Sequence, residues 1–213
     1  MSKATADPHA GGRVLRVGAE LASARLVVVA VHGRGASAED ILGLASELTA
    51  PEVAYVAPQA AGNTWYPYSF LAPMEQNEPW LSSALATLGR LVADIEGSGV
   101  PRERIALMGF SQGACLSLEF AARHAGRWAA VIGLSGGLIG PPGTPRDYAG
   151  SFTGTPVLLG CSDVDAHVPL ERVRETSAVL RGMGAEVDER IYPGMPHTVN
   201  EDELAAADAL LRR

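Results

Sequence analysis

Two stretches of the chain, GFSQGA at 109–114 and GLSGGL at 133–138, have the spacing Gly-x-Ser-x-Gly, which can set a serine on a sharp turn at the end of a strand. A serine hydroxyl is a poor nucleophile at neutral pH. It needs a histidine to take its proton and a carboxylate to hold that histidine in the right tautomer. Acyl chemistry also needs N–H donors aimed at the oxygen that becomes negative. Only one such serine is required, so the surroundings must choose between Ser111 and Ser135.

A turn of this kind needs a strand before it, a helix directly after it, and small neighbours. RIALMGF reads as the strand before Ser111 and Gln112 to His124 as the helix after it, so the helix N-terminus points its free N–H groups at the serine oxygen. Ser135 is followed by GGLIGPPGTP, which cannot continue as a helix. Ser111 is therefore the expected nucleophile. Ser135 is expected at a strand end turning into a flexible loop near the rim of a pocket.

In a parallel-sheet enzyme of this design the order along the chain is serine, acid, histidine, each beyond the C-terminal end of a strand. TPVLLGC is followed by SDVDAHVP, which offers Asp163 and Asp165 as acids. VDERIYPG is followed by MPHTVNEDE, which places His197 before the last helix. His9 falls in an N-terminal tail, His124 late in a helix as a capping or surface residue, and His167 too close to the acids to be their partner. The oxyanion donors are expected to be the N–H of Gln112 and that of Arg34 in the turn HGRG, with His32 a buried structural residue. The Arg34 side chain has two open readings: attraction of anionic substrates at the pocket mouth, or a solvated surface arginine.

The elements that must position these residues alternate. RVLRVG, LVVVAV, VAYVAP, RIALMGF, AAVIGLS, TPVLLGC and VDERIYPG read as strands, and Leu26 to Val31 has the unbroken apolar pattern of a strand buried on both faces. AEDILGLASEL, Leu81 to Ile95, Gln112 to His124, Glu171 to Met183 and Glu201 to Leu211 read as helices. Such alternation predicts an α/β fold, a mostly parallel sheet with helices on both faces. Residues 58–80 hold five of the twelve aromatics without a helical or strand period, as commonly seen in functional loops, and Trp65, Tyr66 and Phe70 are candidates for a substrate pocket. Residues 1–12 read as a flexible tail and 13–213 as a single domain.

With 213 residues, 47% of them hydrophobic, the chain suits one well-buried domain. Its net charge is −7, and its sixteen arginines and single lysine are scattered, which argues against nucleic acid as a partner. There is no apolar run long enough for stable membrane insertion and no signal-peptide core in MSKATADPHAGG, so a cytoplasmic protein is expected. Cys115 and Cys161 read as small buried hydrophobes.

Taken together, VHGRGAS, MGFSQGACLSLEFAARH, LGCSDVDAHVP and YPGMPHTVNEDE resemble the phospholipase/carboxylesterase family of α/β-hydrolases, which includes the acyl-protein thioesterases. The resemblance runs from about residue 14 to the end of the chain. It implies Ser111, Asp165 and His197 as the catalytic triad, Arg34 and Gln112 as the oxyanion hole, and the α/β-hydrolase fold with a minimal lid. The chain departs from the family's small lipid-ester enzymes at Arg34, where they usually carry Leu, and in NTWYPYSFLAP. The expected activity is hydrolysis of small to medium carboxylic esters through an acyl-serine intermediate, with thioesterase or lysophospholipase-type activity as the alternative. A non-catalytic binding protein on the same fold would be expected to break the triad. Neither cofactor nor metal is expected, and the expected partners are a small-molecule ester and at most a second copy of the chain, as monomer or homodimer.

Overall fold

All six residues of one strand, β2 (Leu26–Val31), are buried. Side chains alternate across a strand, so Val27, Val29 and Val31 join one apolar cluster while Leu26, Val28 and Ala30 join another. Apolar layers must therefore cover both faces. The computed structural model describes residues 7–213 and supplies them.

The other strands are β1 (Val14–Gly18), β3 (Val53–Pro58), β4 (Ile105–Phe110), β5 (Ala130–Leu134), β6 (Pro156–Ser162) and β7 (Glu186–Tyr192). The helices are α1 (Ala38–Ala45), α2 (Trp80–Gly97), α3 (Gln112–Arg123), α4 (Leu170–Gly182) and α5 (Glu201–Leu211). The strands form one seven-stranded sheet in the order β1-β3-β2-β4-β5-β6-β7. Only the β1–β3 pair is antiparallel. On one face α1 and α5 bring Ile41, Leu42, Ala207 and Leu211 against Leu26, Val28 and Leu158. On the other, α2, α3 and α4 bring Leu88, Leu116, Phe120, Val173 and Leu180 against Val29, Leu107 and Leu159. This is the doubly covered, mostly parallel sheet the alternation predicts, and each expected strand and helix is present. No helix among the described residues is long and apolar enough to cross a membrane.

Two glycines let α3 start immediately beyond β4. A Cβ on Gly113 would be driven into the carbonyl oxygen of Val31, and one on Gly109 into that of Gly113. Both obstacles are backbone and cannot swing aside. Gly113→Ala is therefore expected to cost about 1–3 kcal/mol through overpacking, read as a melting temperature lower by several degrees.

Two expectations are corrected. The chain directly after Ser135 does not run out as a loose surface loop: residues 136–140 are all buried. Arg172 donates to Leu138 O at 2.7 Å and Gly140 O at 2.6 Å, Arg146 donates to Ile139 O at 2.6 Å, and Glu119 accepts from Ile139 N at 3.1 Å. Glu175 receives both arginines, so the charges that hold this Gly- and Pro-rich segment are paired. Of the tail expected over 1–12, residues 1–6 lie outside the described residues. His9, in the remainder, is 2% exposed: its backbone N–H donates to Ser83 Oγ, its ring donates from Nε2 to Trp65 O at 2.9 Å, and Nδ1 accepts from Ala61 N at 3.1 Å. Burial lowers the basicity of its ring, in keeping with a neutral imidazole that donates on one side and accepts on the other.

Glu203 is an acid buried at the start of α5. Its Oε2 accepts from Asn200 N at 3.0 Å, closing the helix cap, while Oε1 has no hydrogen-bond partner. Burial pushes its carboxyl up to about 7. The folded protein then holds this proton more tightly than the unfolded chain, so the stabilisation is full below the ordinary carboxylate range and is lost as the pH rises towards 7. Glu203→Gln keeps an oxygen for the cap and removes the titration. Its melting temperature relative to wild type is expected to rise by several degrees between pH 5 and pH 8; a constant difference would place the charged form elsewhere.

Candidate active site

Ser111 ends β4 and caps α3, with φ 55° and ψ −121°. This left-handed backbone is costly for a residue with a side chain and is held by the elements on either side: Ser111 N donates to Leu134 O at 2.9 Å and Ser111 O accepts from Cys115 N at 3.0 Å. The turn lifts the hydroxyl clear of the sheet, towards the loop that follows β7.

His197 lies in that loop, three residues before Asn200, the cap of α5. Its Nε2 is 2.8 Å from Ser111 Oγ and its Nδ1 is 2.6 Å from Asp165 Oδ2. Phe110 packs against the imidazole with ring centroids 5.1 Å apart and restricts its rotation. Asp165, in the loop after β6, accepts at Oδ1 from His167 N at 2.8 Å and Val168 N at 3.0 Å. Its side chain is 0% exposed. Burial opposes the charge, but the hydrogen bonds from His197 and the two backbone N–H groups outweigh it and hold the carboxyl below its ordinary value. The donors on one side of Asp165 fix its orientation and leave Oδ2 for the imidazole. The two aspartates thus part company: Asp163 Oδ1 accepts from Gly194 N at 2.7 Å, tying the β6 loop to the β7 loop.

The turn after β2 reaches the serine from the other side. A Cβ on Gly33 would lie 3.4 Å from Ser111 Cβ, so this turn runs directly against Ser111. Among the described residues Arg34 N–H makes no hydrogen bond, and Gln112 N–H, the first of α3, has no acceptor within its helix. His32 is buried, donates from Nδ1 to Gly33 O at 2.7 Å and accepts at Nε2 from Ala60 N at 3.1 Å. Burial lowers its basicity, consistent with this structural tautomer.

A cavity of about 430 Å³ opens beside Ser111, with Tyr66, Phe70, Phe110 and Val168 on its wall. Of the three aromatics expected there, Tyr66 and Phe70 line it and Trp65 does not. Trp65 is turned inward because its indole N–H donates to His32 O at 2.9 Å and its backbone N–H to Gln112 Oε1 at 2.9 Å. Gln112 Nε2 in turn donates to Tyr66 O at 2.8 Å, so one side chain clips the aromatic loop to the serine turn. The Arg34 guanidinium does the same from the far side, donating to Pro67 O and Tyr68 O. His167, too close in sequence to pair with the acids, lines the cavity with its ring centroid 4.7 Å from that of His197. The spacing of His167 to the acids carries no signal of this, because it is the fold of one loop that turns the ring inward. Cys115 and Cys161 are buried free thiols, each pushed up to about 12 by burial, as inert small hydrophobes should be.

The same fold recurs in known proteins. Residues 14–213 match the model of the Phospholipase/Carboxylesterase family. The phospholipase/carboxylesterase of Dyadobacter fermentans superposes with a TM-score of 0.92 at 43% identity, over 95% of this chain and 97% of that one. Esterase PE8 superposes with a TM-score of 0.77 at 28% identity, over 94% of this chain and 97% of that one. The acyl-protein thioesterase 1 of Gibberella zeae is 34% identical over 122 residues, 54% of this chain and 50% of the relative. That of Debaryomyces hansenii is 31% identical over 57% of this chain and 53% of the relative, so the match spans about half the length of these curated relatives. With the family model matched over nearly the whole chain and a solved phospholipase/carboxylesterase sharing its sheet, the chain belongs to the phospholipase/carboxylesterase family of α/β-hydrolases.

Proposed function

We propose that the protein is a serine hydrolase of small to medium carboxylic esters that works through an acyl-serine intermediate. The observation that carries this reading is the unbroken chain Ser111 Oγ, His197 Nε2, His197 Nδ1, Asp165 Oδ2, with separations of 2.8 and 2.6 Å, at the mouth of an apolar cavity. Ser111 Oγ attacks the ester carbonyl carbon as His197 Nε2 takes its proton, and Asp165 stabilises the imidazolium. The carbonyl oxygen becomes negative beside the free N–H groups of Arg34 and Gln112 and the positive end of α3. Collapse breaks the bond to the alcohol, whose oxygen takes the proton from His197. Water then attacks the acyl-serine with His197 as base, releasing the acid and restoring Ser111. Identity with acyl-protein thioesterase 1 sequences supports thioesters as a second class, since the same steps apply with a thiolate leaving.

The test is turnover of p-nitrophenyl butyrate together with labelling by a fluorophosphonate. Hydrolysis that stops as one phosphonyl group appears on the peptide bearing Ser111 is the expected result. Inhibition with the label elsewhere, or no turnover of any ester or thioester, would overturn the reading.

A further inference from the structure

Among the described residues the wall of the cavity carries no Asp or Glu, although the chain has 24 acidic residues and a net charge of −7. The one acid nearest the chemistry, Asp165, has its side chain sealed behind His197. Among the described residues the only permanently charged side chain on the wall is Arg34. A field of positive sign at the mouth of an otherwise apolar cavity, on a protein of opposite net charge, selects among substrates by charge.

The Arg34 guanidinium is oriented without being neutralised. Nη1 donates to Pro67 O at 2.7 Å, Nη2 donates to Tyr68 O at 2.6 Å, and Cζ lies 6.0 Å from the centroid of the Tyr66 ring. Carbonyl oxygens and an aromatic face orient a cation but carry no net charge, and among the described residues Arg34 makes no ion pair. Two of its five N–H donors are used in this way, leaving the rest for a ligand. An arginine serving only solubility would spend side-chain entropy on this arrangement for nothing. A guanidinium already ordered loses little more on binding, which is the condition for a selective contact.

We propose that the preferred substrates of this site are esters bearing a carboxylate remote from the scissile bond, which the Arg34 guanidinium receives while the apolar wall takes the connecting carbons. This rests on the hydrolase reading above and adds the substrate class to it. Arg34 would then act twice, through its N–H at the developing oxyanion and through its side chain at the carboxylate. The span between the two charges is that of one arginine side chain, which suits a mid-length dicarboxylic hemiester rather than a very short one.

The experiment compares two matched pairs of esters: p-nitrophenyl hemiadipate with p-nitrophenyl hexanoate, where the charge is on the acyl group, and 4-carboxyphenyl hexanoate with phenyl hexanoate, where it is on the alcohol. The readout is the charged-to-neutral ratio of kcat/KM within each pair, which cancels any change in the shared machinery. Arg34→Gln keeps a donor for the Pro67 and Tyr68 carbonyls and removes the charge. It is expected to lower that ratio by about tenfold in one pair, and added salt is expected to lower the wild-type ratio while leaving that of the variant flat. The pair that responds identifies the end of the ester that faces Arg34. A ratio unmoved by Arg34→Gln in both pairs overturns the inference and leaves the hydrolase reading standing. Failure of the wild type to hydrolyse any of the four esters overturns both.

Discussion

Ser111→Ala is expected to lower kcat for p-nitrophenyl butyrate on the order of 10⁶-fold, while Ser135→Ala stays within a few-fold of wild type. The contrast is sharper than the shared spacing suggests, because the two serines also share a positive φ, 55° at Ser111 and 52° at Ser135. Each ends a strand, β4 or β5, on a turn that glycine neighbours make room for. The difference lies in the path of the chain beyond each turn. Past Ser111 it enters α3, which aims its N-terminus at the hydroxyl, and His197 meets the hydroxyl from above. Past Ser135 it dives under the start of that same helix: a Cβ on Gly136 would collide with Ala114, and Ser135 itself is 0% exposed. The second turn is a buttress for the first. A substrate cannot reach Ser135, so its hydroxyl has no route to chemistry. An inactive Ser135→Ala protein with a normal melting temperature would show that this argument misassigns the nucleophile.

The same contrast marks what can be read from the sequence. The strands and helices are legible because each carries its own local signal: the continuous apolar run of β2, the helical spacing of α2, the cap at Asn200 before α5. The order of serine, acids and histidine is legible because a parallel sheet sends each strand's C-terminal end to the same edge. The side-chain clips are not. Gln112 meets Trp65 across 47 positions and Arg172 meets Leu138 across 34, and neither contact leaves a periodicity or a composition that a local reading can detect. Small, polar neighbours suggest a tail at His9, yet its ring packs 5.3 Å from that of Trp65. Gly and Pro after Ser135 suggest a loose loop, yet residues 136–140 are buried, with their carbonyls held by the buried Arg172 from α4 and by Arg146 seven residues on.

For the acid, the expected result is that Asp165→Asn loses on the order of 10⁴ in kcat with little change in melting temperature. Asn at this position keeps an oxygen for the N–H groups of His167 and Val168, so the loop stays closed. Its amide nitrogen then faces His197 Nδ1 in place of Oδ2. Because that nitrogen can only donate, Nδ1 must accept, and the imidazole proton moves to Nε2, where it blocks uptake of the proton from Ser111. Asp163 asks for a different substitution. Asn there could still accept from Gly194 N, so Asp163→Ala is the informative change: it cuts the tie between the β6 and β7 loops while leaving the chain from Ser111 to Asp165 in place. It is expected to lose several degrees in melting temperature and to keep far more turnover than Asp165→Asn. The two variants are therefore expected to separate on two axes, stability for Asp163 and rate for Asp165. Near-normal kcat in Asp165→Asn beside an inactive but stably folded Asp163→Ala would move the acid's role to Asp163, and the 2.6 Å contact with His197 would then be structural.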